Sequence, residues 1–230
     1  MNNKLTKGII ATFLIGLSGI ALAAIAPEPV LEPAVPKEIA ADGVVYHTIT
    51  GKQTQVTFTS KAPLENIVGK SNSVVGYAVA AQGETPAKLV GAKWVLPVES
   101  LATGLPMRDE HLYHEWLESG SFPTIEFTLT STEDIKLVKS GDGFTTWTLT
   151  LIGDMTLHGQ TKSIRVEKAK LSFLTASEKT AKIADGDLCF LKCTYSIKMS
   201  DFDIHHKDVP DKVSDEIKLV QMLRMTTVQD

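Results

Sequence analysis

The chain has 230 residues, 23 Lys and Arg against 27 Asp and Glu, and a formal net charge of −4. That length suits one domain, up to a large β barrel with a sizeable core. A mildly acidic chain with no basic run or aromatic-basic patch gives no footing for a nucleic-acid partner. Two cysteines, Cys189 and Cys193, exclude a disulfide framework.

The N-terminus reads as an export signal. Lys4 and Lys7 precede an uncharged stretch from Gly8 to Ala24 that carries Ile9, Ile10, Phe13, Leu14, Ile15, Leu17, Ile20 and Leu22. Ala21-Leu22-Ala23 then gives a small-x-small cleavage pattern. The expectation is a signal peptide over 1–23. It is preferred to an uncleaved anchor because the run is near the lower limit of about 17 residues for a spanning helix. No cysteine follows, so lipoprotein attachment is not expected. Residues 24–42 hold Pro27, Pro29, Pro33 and Pro36 and read as an extended spacer of polyproline character. The folded domain is expected over 43–230.

From Gly43 onward, period-two alternation dominates. Val75, Tyr77 and Val79 share one face of a strand, as do Trp94, Leu96 and Val98 of the next. Arg108 to Glu118 breaks the pattern, with Leu112, Trp116 and Leu117 at helical spacing and Ser119-Gly120 as a stop. Ile125, Phe127 and Leu129 resume the alternation. Gly141-Asp142-Gly143 marks a hairpin turn before Trp147, Leu149 and Leu151. Cys189, Leu191, Cys193, Tyr195, Ile197 and Met199 share a face, and so do Ile217, Leu219, Leu223 and Met225 of the last strand. Both thiols therefore point inward. Four strand residues span roughly 13 Å at about 3.3 Å each, beyond the ~7 Å a disulfide tolerates, so two buried thiols are preferred to a bridge. The count of about eight strands, apolar on one side, predicts an all-β fold: an antiparallel eight-stranded barrel with a short helix between strands.

Catalytic chemistry finds little support. The helix holds Arg108, Asp109, His111, His114, Glu115 and Glu118, but the second histidine of an H-E-x-x-H zinc helix is missing. His111 and His114 could share a face and, with an acidic residue, hold a metal; a solvated helix face accounts for the same residues. His205-His206, flanked by Asp203 and Asp208, reads as a surface loop before the last strand. The mature chain has no G-x-S-x-G elbow, no activated cysteine and no phosphate loop. No catalytic or metal-ligating residue is assigned.

A closed eight-stranded barrel either fills its interior or holds one small ligand. Tyr77, Trp94, Leu96, Leu112, Trp116, Phe127, Leu129, Trp147, Leu149 and Tyr195 are the candidate lining of such a pocket. The same residues would serve as an ordinary core, and the pattern alone does not choose.

Six segments in order carry a family resemblance: Val98-Glu99-Ser100-Leu101-Ala102-Thr103-Gly104, Arg108-Asp109-Glu110-His111-Leu112, Phe122-Pro123-Thr124-Ile125-Glu126-Phe127, Gly153 to Lys162, Ser200-Asp201-Phe202-Asp203-Ile204, and Val213-Ser214-Asp215-Glu216-Ile217. Over roughly Gly43 to Met225 the chain resembles the YceI-like family. The resemblance implies a lipocalin-like antiparallel barrel in the bacterial periplasm, with no agreed catalytic residues. It also implies a lumen that can hold a polyisoprenoid lipid or a quinone tail, the one bound group expected here. Asp203 stands where the family usually has glycine, and Gly76-Tyr77 replaces its glycine-phenylalanine run. Two other readings stay open. One is a metal-binding protein or enzyme using His111 and His114. The other is an interaction module with a membrane-protein partner such as a cytochrome. A homodimer is left open as well.

Overall fold

The alternating segments become strands, and their register closes them into a ring. The computed structural model describes residues 32–229 apart from Lys52; the expected signal peptide lies outside the described residues. The elements are α1 (Lys37–Ala41), β1 (Gly43–Thr48), β2 (Val56–Lys61), β3 (Asn66–Ser71), β4 (Val75–Ala81), β5 (Leu89–Pro97), α2 (Pro106–His111), β6 (Thr124–Gly141), β7 (Phe144–Leu157), β8 (Gln160–Leu174), β9 (Leu188–Lys198) and β10 (Glu216–Thr226). Pairing runs β1-β4-β5-β6-β7-β8-β9-β10 and returns from β10 to β1, so eight antiparallel strands form a closed barrel.

The other two strands extend this ring. β10 pairs β1 at Met225 and Thr226 and β2 over Ile217–Gln221. β2 and β3 thus continue the lines of β1 and β4 after a break. Gln55, only 1 % exposed, spans that break: its amide nitrogen donates to the Ile49 and Val74 carbonyls, and its oxygen accepts from the Val74 N–H at 2.7 Å. One side chain thereby satisfies backbone groups that no ladder reaches.

The Asp142-Gly143 turn joins β6 and β7, with Gly141 opposite Phe144. The spacer expectation needs correction over its last residues. Pro36 keeps an extended φ of −58° and ψ of 136°, but Lys37–Ala41 forms a helix. Glu38, Ala40 and Ala41 are good helix formers, and Ile39 lies over Gly91 on the outer wall of β5. No helix among the described residues is long and apolar enough to cross a membrane.

Register sorts the interior into two zones. Tyr46, Ala78, Ala80, Trp147, Leu149, Leu171, Phe173, Cys189, Leu191, Leu223 and Met225 fill one end, each 8 % exposed or less. Toward the other end the wall opens along two seams. β8 pairs β9 only over Lys170–Leu174, and among the described residues the outer edge of β3 is joined at a single bridge, Lys70 to Ala102, with the Ser71 and Ser100 hydroxyls 2.8 Å apart beside it. The turn Met199–Phe202, with Phe202 1 % exposed, lies beside β8 along the first seam. α2 and the residues after it line the cavity beside the second.

Candidate functional site

The unfilled end encloses a cavity of about 600 Å³, inside the range of roughly 300–1,000 Å³ typical of small-molecule sites. Its wall is a grid set by strand register. Across β2, β10 and β9 the rows are Val56–Gln221–Cys193, Phe58–Leu219–Tyr195 and Ser60–Ile217–Ile197. On the opposite side Trp94 of β5, Phe127 of β6 and Met155 of β7 stand in one row. The Trp94 and Phe127 rings stack at 5.7 Å with 22° between planes.

Two glycines keep these aromatic rings flat against the wall. A Cβ on Gly69 would fall 2.2 Å from the Phe58 ring, and one on Gly153 would fall 2.4 Å from the Phe127 ring. Real Cβ atoms do not approach that closely, so a side chain at Gly69 would push the Phe58 ring into the lumen, and one at Gly153 would displace both the Phe127 ring and the β6 backbone at the Thr128 carbonyl, 2.5 Å away. The cavity therefore depends on glycine at both places.

Polar groups are few. Ser60 accepts the Ser214 N–H at 2.8 Å, and Gln221 accepts the Cys193 thiol at 3.5 Å. The Tyr195 hydroxyl joins them on the same face, and burial holds its pKa above the ordinary phenol value. The Trp94 indole N–H is buried without an acceptor among the described residues. Two charged pairs sit at the mouth, Arg108 with Glu65 at 2.6 Å and Lys212 with Asp208 at 3.4 Å, and a third lining carboxylate, Glu126 of β6, is held by Lys93 of β5 at 2.8 Å.

The mouth is framed by α2, which Pro106 starts and a π-helical turn over Leu112–Trp116 continues. Asp109 Oδ1 accepts both the Thr103 N–H at 2.8 Å and the Thr103 hydroxyl at 2.6 Å. The Thr103-Gly104 and Arg108-Asp109 segments thus form one corner: Asp109 fixes the loop, and Arg108 ties it to the β2–β3 hairpin. Trp116 turns inward, with His206 packed on its outer side at 4.3 Å between ring centroids.

Of the ten candidate lining residues, Trp94, Leu96, Leu112, Trp116, Phe127 and Tyr195 line the cavity. The other four do not. Tyr77 lies on the outer face of β4, in register with His47 and Lys93, because Ala78 and Ala80 take the inward positions. Trp147 and Leu149 belong to the packed end, and Leu129 packs at the edge of the core. Val56, Phe58, Ile67, Met155, Ile217, Leu219 and Gln221 were not anticipated as lining. The alternation placed Ile217 and Leu219 on an inward face without revealing which end is hollow.

The histidines do not converge. His111 faces Glu115 at 3.9 Å, whereas His114 faces Glu110 at 3.2 Å, both pairs exposed. Among the described residues no group of three or more His, Cys, Asp and Glu has the geometry to hold a metal ion. The surface-loop expectation fits His205, 68 % exposed in its side chain, but not His206, which is 20 % exposed and part of the mouth. Cys189 and Cys193 are free and buried, and burial pushes the Cys193 thiol up to about 12.

A closed antiparallel barrel with one end packed and the other hollow and apolar is the architecture of the lipocalin-like binding barrels. The YceI-like domain family model matches residues 47–224, so the chain belongs to the YceI-like family. Among solved structures, a polyisoprenoid-binding domain from Saccharophagus degradans is 12 % identical with a TM-score of 0.56, covering 80 % of this chain and 98 % of that one. BcnA of Burkholderia cenocepacia is 17 % identical with a TM-score of 0.52, covering 74 % and 95 %. The YceI protein of Campylobacter jejuni is 16 % identical with a TM-score of 0.50, covering 84 % and 97 %. These likenesses are of fold. No curated protein shows significant sequence similarity to the chain.

Proposed function

We propose that the chain is an exported, periplasmic binding protein, not an enzyme, that holds a long apolar chain such as a polyisoprenoid lipid or quinone in its barrel. The observation that carries this reading is the apolar cavity of about 600 Å³ whose charged lining residues Glu65, Arg108, Glu126, Asp208 and Lys212 are all held in ion pairs. Burial of each CH₂ contributes about 0.8 kcal/mol, so a prenyl chain binds tightly there with few polar contacts. A charged group would lose hydration inside without gaining a partner. The polyisoprenoid-binding neighbour supports the same class of ligand, and the family match is to a group of that fold.

Solvent extraction of the purified protein followed by mass spectrometry tests the proposal, with a co-purifying isoprenoid lipid as the expected result. Titration with geranylgeraniol complements it, because Trp94 and Trp116 line the cavity and their fluorescence reports filling. Leu219→Trp places a larger side chain in the middle of the wall and should weaken geranylgeraniol binding at least about tenfold, or about 1.4 kcal/mol. A protein that yields no lipid and shows no saturable fluorescence change would sink the reading.

A further inference from the structure

The two most exposed large apolar side chains among the described residues are Met107 at 76 % and Leu64 at 73 %. They come from segments far apart in sequence, yet each adjoins one half of the same ion pair. Met107 precedes Arg108, Leu64 precedes Glu65, and those two meet at 2.6 Å. Leu105, 52 % exposed, lines the same opening. The Leu64 N–H donates to the Asp211 carbonyl at 3.0 Å, which fixes the hairpin tip against the 208–213 loop. Two segments thus gather exposed apolar side chains around the mouth, and a third, the 208–213 loop, anchors the hairpin tip. Exposed apolar patches of this kind mark interaction sites.

We propose that this rim docks on a lipid bilayer, with Leu64 and Met107 entering the interfacial layer, so that an apolar ligand passes between bilayer and cavity without crossing water. The proposal rests on the reading that the cavity holds an apolar chain. Two features favour a bilayer over a protein surface. The rim is continuous with the cavity, since Leu105 and Met107 belong to both; a partner there faces the ligand directly, and a bilayer is where an apolar chain resides. The rim also carries charges of both signs: exposed Lys61 and Asp211 flank Leu64, one on its own hairpin and one at its backbone hydrogen bond. Arg108 is held by Glu65 and Lys212 by Asp208, which matches a zwitterionic surface and makes docking insensitive to salt.

Protein loaded with geranylgeraniol is mixed with phosphatidylcholine vesicles, and transfer is followed by tryptophan fluorescence. The expected rate rises in proportion to vesicle concentration. In Leu64→Asp it falls about tenfold, as loss of one buried leucine predicts, while geranylgeraniol affinity in solution is unchanged, because Leu64 lies outside the cavity lining. A rate independent of vesicle concentration and of Leu64→Asp overturns the proposal. A second variant reads the rim whatever the cavity holds. The added indole of Leu64→Trp should be quenched by brominated phosphatidylcholine beyond the quenching of wild type, at low and high salt alike. Equal quenching, or an emission shift that follows protein concentration and ignores vesicles, overturns the bilayer in favour of a protein partner. Failure of geranylgeraniol to load counts against the binding reading alone, and the quenching still decides the rim.

Discussion

The two ends of the barrel share strands and alternation, yet one is full and the other hollow. At the packed end β7, β8, β9 and β10 are paired without interruption, which holds that side of the wall together. Tyr46, Trp147 and Phe173, interleaved with Ala78 and Ala80, fill the lumen. At the hollow end the seams beside β3 and β8 lengthen the perimeter, and lumen width grows with perimeter. Wall side chains of ordinary size then leave the centre open. The contrast teaches that inward alternation fixes which residues face the interior, whereas side-chain size and seam position together fix whether that interior is core or cavity.

Truncating one residue at each end should separate the two most strongly. Leu171 is fully buried among neighbours that cannot collapse, so Leu171→Ala should cost about 2–5 kcal/mol. Phe58 already borders empty space, and Phe58→Ala should cost clearly less while changing geranylgeraniol affinity. Urea denaturation of both variants measures this. Equal losses would mean that the hollow end is as tightly packed as the other.

Alkaline pH tests both ends through one thiol each, Cys189 at the packed end and Cys193 in the row Val56–Gln221–Cys193 of the cavity wall. Burial raises the folded-state pKa of Cys189 and Cys193 above the unfolded value of about 8.5. Both thiols are neutral in either state below that pH, so stability there is independent of them. Above it the unfolded chain loses protons that the folded chain keeps. Stability should therefore fall with rising pH from about 9 up to the folded pKa, by at most about 1.4 kcal/mol per pH unit for each thiol. Replacing both with Ala should flatten that part of the curve; an unchanged slope would assign the loss to the buried tyrosines instead.

Gly69→Ala probes the hollow end without deleting a contact. The new methyl would meet the Phe58 ring first, and that ring borders the cavity, so it has room to swing. The expected outcome is weaker geranylgeraniol binding at a stability cost of about 1 kcal/mol or less. Unchanged binding would show that the ligand does not reach that part of the wall.

These contrasts also mark what the sequence could tell. The strand faces were readable because alternation is local: Phe127, Trp94 and Tyr195 turn inward as the period of two requires. Tyr77 was misplaced because β4 is buried on both faces, which erases the signal that separates inside from outside. Trp147 and Leu149 were read correctly as interior, but which end they fill depends on pairings such as Trp147 with Leu171, and no local pattern encodes these. Gly69 and Gly153 gave no hint of their role, since it exists only opposite a ring on a neighbouring strand. The Thr103, Arg108 and Asp109 corner was visible as a motif, while its partner Glu65 lies 43 residues away.

Asp203 gives the smallest effect. Its backbone has a φ of 58° and a ψ of 28°, the left-handed region that favours glycine, and there its N–H closes the Met199–Phe202 turn. Aspartate tolerates this conformation better than most residues but still bears a Cβ cost that glycine avoids. Asp203 also faces His205 at 3.3 Å, an exposed contact of little energetic weight. Asp203→Gly should therefore stabilise the fold by about 0.5 kcal/mol, whereas Asp203→Val should destabilise it by about 1 kcal/mol or more. Because the Met199–Phe202 turn lies along the seam beside β8, and Met199 lines the cavity, geranylgeraniol binding should follow the same order. Thermal unfolding of the three proteins with and without geranylgeraniol reads both effects. If the valine variant unfolds at the wild-type temperature, the turn is not held by this residue.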